Sequence, residues 1–220
     1  SDWVPGKHGS SLDFDRTTND YVTVADSSSL NFQNLGASVS VWVYWNGSST
    51  ADRFISKAQN NSPYEGDFYL QINGQDTQLV IATFRTGSST NPTVTTTSTM
   101  PINTWTHIAA TYDTLTNTEK IYFNGVLQET NTSATNEIGN FTGTLCFASN
   151  CSFVGGAFPG KLDDIRIYNY ARTANQVIED MNGGHPAPGS PVGSATAYWK
   201  FDEGYSTTAY DANKDTGGAE

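Results

Sequence analysis

The chain has 220 residues, 36% of them hydrophobic and 12% aromatic, with a formal net charge of -11. That length can bury a substantial core, in one large β domain or two small ones. The acidic surface disfavours nucleic acid and anionic membranes as partners; it serves solubility in any case, and it suits Ca²⁺, which prefers carboxylate and carbonyl oxygens. No segment approaches the ~20 apolar residues of a membrane-spanning helix, so membrane insertion is not expected.

In chain order, Ser11 to Asp15 alternates, with Leu12 and Phe14 inward, and a polar turn from Arg16 to Asn19 leads into alternating Tyr21 to Val24. The pair reads as a hairpin. Ser27 to Phe32 reads as a loop with apolar anchors. Ala37 to Trp45 is the strongest strand: Val39, Val41, Val43 and Trp45 share a face, and Ser38, Ser40, Trp42 and Tyr44 share the other. Uniform small aliphatics mark the core side. Trp42 and Tyr44 are then either a ligand platform or a surface covered by a neighbouring loop.

Further strands are expected at Arg53 to Lys57, Phe68 to Ile72, Leu79 to Phe84 and Trp105 to Asp113, with a Thr-rich edge at Val94 to Ser98. Glu119 to Phe123 ends at Asn124-Gly125, a hairpin turn, and Val126 to Gln128 returns. Thr144 to Val154 is expected to be a hairpin holding both cysteines, Cys146 and Cys151. Few thiols and a surface rich in Ser and Thr point to a disulfide and an oxidising, extracellular setting; two free thiols are the alternative, because geometry decides.

Gly160 to Tyr168 is the next strand. Ile165 and Ile167 share one face, Arg166 and Tyr168 the other. Asp163 has the parity of the isoleucines, so its carboxylate is expected to point towards the core. A buried carboxylate needs a cation or donors. A short helix follows, opened by the capping box Thr173 and Gln176 and stopped near Asn182-Gly183-Gly184. Residues 1–182 form one unit on this reading. Residues 183–195 are a Gly/Pro linker, and 196–220 are a tail in which Thr196 to Asp202 is again a strand, with Trp199 and Phe201 on one face. Many short strands with one helix predict an all-β, antiparallel jelly-roll sandwich.

Several segments carry a resemblance: Gly9 to Asp15, Asn19 to Val22, Val39 to Tyr44, Trp105 to Asp113, Ile121 to Gly125, and Gly160 to Tyr170. In this order they resemble the laminin-G-like domains of the concanavalin A-like lectin/glucanase superfamily, over roughly residues 3 to 181. They are specific for the fold and weak for the ligand. The tail, Ala197 to Asp211, resembles the start of such a domain, and the N-terminus resembles a member joined partway in. Because the chain begins Ser1-Asp2-Trp3, it is expected to be cut from a longer protein. The tail then begins a further module of a tandem array, folds back as the missing first strand, or donates that strand through residues 196–203 to a neighbour in a filament. A bare tail would expose Trp199, Phe201 and a free sheet edge, which favours completion within or between chains.

The resemblance also implies a structural Ca²⁺, held by an acid near the first strand and one entering the last. Those roles fall on Glu203 and Asp163. Asp15 to Asp20 resembles the family's acidic turn and reads as a solvated turn. For a sugar, the candidate stacking and hydrogen-bonding residues are Trp42, Tyr44, Tyr69 and His107. Glycosidases of the superfamily place three acids on one strand; here only Glu65-Gly66-Asp67 begins that pattern, and Tyr69 and Leu70 stand where the third acid belongs. A retaining pair needs carboxyls about 5 Å apart, and no alternating strand offers one. No Gly-X-Ser-X-Gly nucleophile motif occurs. The expectation is a non-catalytic, extracellular carbohydrate-binding or adhesion module of a microbial surface protein, its partner a glycan or cell-surface polysaccharide. The alternative is a structural repeat or filament subunit.

Overall fold

A computed structural model describes residues 2–32, 36–47, 51–58, 66–73, 78–84, 93–132, 143–151, 158–183, 195–205 and 207–213. Apolar residues at every second position build two antiparallel sheets that pack their apolar faces together. The first holds, side by side, β1 (Trp3–Pro5), β2 (Ser10–Phe14), β13 (Gly160–Tyr168), β4 (Ala37–Trp45), β9 (Trp105–Asp113), β10 (Thr118–Phe123) and β11 (Val126–Asn131), with β14 (Ala197–Trp199) also paired to β13. The second holds β3 (Val22–Val24), β12 (Thr144–Phe147), β5 (Ala51–Ala58), β6 (Gly66–Asn73), β7 (Leu79–Phe84) and β8 (Thr93–Thr95). The expected jelly-roll sandwich is the fold.

Val39, Val41, Val43 and Trp45 of β4 are fully buried and face Phe54, Leu70, Ile72 and Phe84 of the second sheet in one core cluster. Leu30 and Phe32 plug the core from a short 3-10 turn at Ser28–Leu30. At one end the Trp45 indole Nε1–H donates to the buried Asp52 carboxylate at 3.2 Å, and Arg16 pairs with the same acid. That partnership answers the desolvation of Asp52.

The expected pairing of the first two alternating segments does not form. β2 pairs with β1 and β13, whereas β3 pairs with β12 in the other sheet. The turn between them crosses the sandwich. It is braced by its own side chains, with Asp15 accepting from Thr17 and Asp20 accepting from Thr18, and it is drawn across by Arg16 on Asp52. The β10–β11 hairpin does form, with Asn124 and Gly125 both at positive φ, 47° and 77°, as a two-residue primed turn requires. The return arm of the expected cysteine hairpin, residues 152–154, lies outside the described residues. Cys146 lies on β12 and Cys151 follows a turn; the two are disulfide-bonded with Cα atoms 5.6 Å apart. Helix α1 (Ala174–Asn182) has the full capping box at Thr173 and Gln176, and Gly183 ends it in a right-handed conformation, φ -67°.

β13 decides how the chain closes. Opposite β4, Asp163 pairs with Trp42 and Arg166 with Ser40, so β13 has one extra residue, a bulge at Asp164 with φ 50°. The expected inward direction of Asp163 is therefore wrong. Leu162 and Ile165 both reach the core, three positions apart, and Asp163 stands with Trp42 on the outer face. Along its other edge β13 has two partners: β2 takes Gly160 to Leu162, and β14 takes Ile165 to Ile167. β14 thus completes the sheet of its own chain. Trp199 and Phe201 enter the core together, both edge-on to Phe147, with ring centroids 5.0 and 6.0 Å away. Residues 184–194, most of the expected linker, lie outside the described residues.

Trp199→Ala is expected to lower unfolding free energy by about 3–5 kcal/mol, the range for emptying a large buried aromatic site. Urea unfolding checks this; a loss below about 1 kcal/mol would mean that the tail does not dock.

Candidate functional site

The residues expected to meet a sugar are split between faces and unequally covered. On the outer face of the first sheet, Asp163, Trp42 and His107 form one row across β13, β4 and β9. Trp42 is only 6% exposed and His107 is fully buried. The segment Lys7–His8 lies over them, with Lys7 Nζ 4.5 Å from the Trp42 ring and the His8 ring edge-on at 6.1 Å. Of the two readings of Trp42, coverage is the one observed, and neither Trp42 nor His107 offers a face to a ligand. Burial, then the nearby Arg166 charge, pushes the His107 pKa down to about 3, so it is neutral. Tyr44 is half-buried beside Trp105, with Lys161 over its ring at 5.2 Å. Tyr69 lies on the second sheet, half-buried, with Arg53 stacked 4.4 Å above it. The four residues do not share one surface.

The two acids assigned to Ca²⁺ are both tied to backbone. Asp163 Oδ2 accepts from Lys7 N at 2.8 Å and His8 N at 3.0 Å. Gly6 permits this approach, since a Cβ there would sit 2.6 Å from Asp163 Oδ2 and 2.5 Å from Ser10 O. Glu203 Oε1 accepts from Tyr210 N at 2.8 Å. Asp163 Oδ1 and Glu203 Oε2 are buried and have no hydrogen-bond partner. Among the described residues no three acidic, His or Cys side chains cluster as metal ligands. The chemistry of these two oxygens fits Ca²⁺, and further oxygens, such as backbone carbonyls or water, would have to complete its six to eight positions. Burial pushes the Asp163 pKa up to about 7, against the two N–H bonds that hold it down.

The residue beside it, Asp164, anchors the tail. Tyr198 donates its hydroxyl to Asp164 Oδ1 and accepts from Arg166 at 2.9 Å. Arg166 also donates to Asp180 O at 2.7 Å, joining tail, sheet and helix. Asp180 in turn takes two bonds from Arg172, at 3.0 and 2.5 Å, and one from Tyr168.

One open feature among the described residues is a cleft of about 780 Å³ on one side of the sandwich. The edge strand of the first sheet, β1, and that of the second, β3, gape there because the β2–β3 turn crosses between sheets. Leu12 and Phe14 contribute apolar floor, and Trp3 and Tyr21 bring aromatic rings to opposite walls. Tyr21 is 47% exposed, whereas Trp3 packs part of its ring on the core. Asp2 and Asp20 add carboxylates, and Thr207 and Thr208 of the tail add hydroxyls. Alternation alone does not reveal β1 as a strand and reads Tyr21 as an ordinary strand residue. The available signal was an aromatic on each of two segments that share no sheet.

The family model described as the concanavalin A-like lectin/glucanases superfamily, of laminin G type, matches residues 16–178. The chain belongs to this family. No curated protein matches it at the sequence level. Among solved structures, this laminin-G-like chain is similar to a Bacteroides ovatus protein described as a candidate carbohydrate binder, at 20% identity and TM-score 0.71, covering 95% of this chain and 57% of that one. It is also similar to domain 4 of AbnA, an extracellular arabinanase of Geobacillus stearothermophilus, solved with arabinotriose, at 23% identity and TM-score 0.62, covering 81% and 80%. A third is the botulinum neurotoxin serotype G binding domain, at 19% identity and TM-score 0.64, covering 82% and 44%. The chain spans about half the length of the first and third. At these identities the likeness shows the fold.

Asp163 gives a pH signature. Its folded pKa of about 7 lies above its ordinary 3.8, so between those values the folded protein holds a proton that the unfolded chain has released. Stability therefore falls as pH rises through that window and is flat above it. In chelator, urea unfolding of Asp163→Asn is expected to lack this decline, worth on the order of a few kcal/mol. Parallel pH profiles for the two proteins would refute it.

Proposed function

We propose that the chain is a non-catalytic carbohydrate-binding module of an extracellular, modular protein. The observation that carries this is the cleft between the edges of the two sheets, where aromatic rings and oxygen acceptors converge on a volume of about 780 Å³. Sugars present CH faces that stack on aromatic rings and hydroxyls that need acceptors. Two similar structures support the reading: one is described as a candidate carbohydrate binder, and the other was solved with arabinotriose. The disulfide fits an oxidising compartment. No helix among the described residues is long and apolar enough to cross a membrane.

The module does not need its own reaction chemistry. Three buried acids are occupied in closing the fold: Asp163 on the Lys7–His8 backbone, Asp164 on Tyr198, and Asp180 on Arg172. A Ca²⁺ ion at Asp163, with Glu203 as a second acidic donor, belongs to the same proposal. Its support is the pair of buried oxygens without protein partners. Its role would be to steady the segments that the two acids hold, rather than to meet the sugar.

Assembly by strand donation is the less favoured reading, because β14 pairs with β13 of its own chain. A donated strand would have to displace it.

Screening the protein on a glycan array, followed by calorimetry of any hit, tests the binding reading; a correctly folded protein that binds no glycan would end it. Melting with and without chelator tests the ion. A fall in Tm on chelation is expected, restored by added Ca²⁺, and an unchanged Tm would remove the ion from the proposal.

A further inference from the structure

We infer that the cleft takes an uncharged saccharide and that its tail wall, Thr207–Ala209, makes binding dependent on docking of the chain's own C-terminal tail. This rests on the carbohydrate-binding reading and extends it to ligand class and to coupling within the fold.

The ligand class follows from charge. None of the described lining residues is basic, and two, Asp2 and Asp20, are acids. The whole chain carries a formal charge of -11. A uronate, sialylated or sulfated glycan would bring its anion against these carboxylates with no cation to receive it. A neutral sugar suffers no such penalty, and its hydroxyls have donors to offer. Asp20 already accepts from Asp15 N and Thr18 Oγ1, at 3.0 and 2.7 Å, but an ionised carboxylate accepts about four hydrogen bonds. Those two bonds also orient its carboxylate ahead of any ligand.

Coupling follows from how the tail is held. Beyond β14 the chain makes a loop pinned at its base and along its sides. Tyr198 N donates to Asp211 Oδ1 at 2.9 Å, and Ala212 N donates to Tyr198 O at 2.7 Å. Nearer the tip, Tyr210 N donates to Glu203 Oε1, and Ser10 N reaches across to Asp202 Oδ1 at 2.9 Å. These clamps deliver Thr207–Ala209 to the cleft, where Ala209 packs on the core beside Trp3. A ligand that touches both the β1–β3 walls and the tail binds only the docked form. It must then stabilise docking by the same free energy that docking adds to its affinity.

The test uses the full chain. Calorimetry is run with neutral arabino-, xylo-, manno- and cello-trisaccharides and with trigalacturonate, and amide exchange is followed at Tyr198 and Ala212. Binding of at least one neutral trisaccharide is expected, with trigalacturonate at least tenfold weaker. Tyr21→Ala and the double variant Thr207→Val/Thr208→Val alter exposed side chains, so both are expected to fold, and each to lose affinity about tenfold. Tyr69→Ala, on the other face, is expected to bind as wild type. Asp211→Ala, which loosens the clamp without lining the cleft, is expected to weaken binding, and saturating sugar is expected to slow exchange at Ala212. Binding of neutral sugars that all cleft variants retain, or trigalacturonate binding as tightly as the neutral trisaccharides, would overturn the cleft assignment alone. Unchanged affinity in Asp211→Ala, with faster tail exchange, would overturn the coupling. A wild-type protein that binds no sugar on the array would overturn the carbohydrate reading and the cleft with it.

Discussion

β13 offers one edge to two strands, β2 for its first half and β14 for its second. Between those two pairings lies the bulge at Asp164, which shifts the register of β13 against β4. The extra residue turns Asp163 outward, where it gathers the Lys7–His8 backbone, and places Asp164 against the Tyr198 hydroxyl. One local departure from pleated geometry thus fastens both ends of the chain to the same strand. A carboxylate in such a place costs several kcal/mol if left alone. Here Asp164 has Tyr198 and Arg166, and Asp163 has two N–H groups and one oxygen still without a partner.

The outer face of the first sheet is consequently a closed, polar interior rather than a binding platform. Trp42 and His107 would offer a sugar surface on a bare sheet. They lie instead beneath Lys7 and His8, in a layer continued by Arg166, Arg172 and Asp180 under α1. A cleft opens where the sandwich does not close on itself. There the β2–β3 turn leaves one sheet for the other, and the tail lies across the gap. Function on this fold is placed by what the covering segments leave open.

Much of this was legible in residue order. Alternation in Val39 to Trp45 identified the core face of β4 correctly, because a strand has period two and one of its faces must be apolar. Asn124-Gly125 announced its hairpin, since both residues tolerate positive φ. Thr173 and Gln176 announced the helix start. Parity failed at Asp163 because a bulge adds one residue that no pattern of apolar and polar positions records; it then reverses the face of everything before it. Pairing failed for β2 and β3 because their turn crosses to the other sheet, where Arg16 meets Asp52 on a strand that comes later in the chain.

By itself, then, the order of residues determined the two-sheet sandwich, the core face of the central strand, the helix cap, and the need of Trp199 and Phe201 for a partner sheet. These follow from local periodicity and from the cost of exposing large aromatics, both of which act along the chain. Only the tertiary structure decided that the tail closes its own sheet, which way Asp163 points, that Trp42 is covered, and that Trp3, Tyr21 and Thr207 face one cleft. Each of these joins residues far apart in sequence, and their meeting depends on sheet order and on a single bulge, quantities that no local pattern carries.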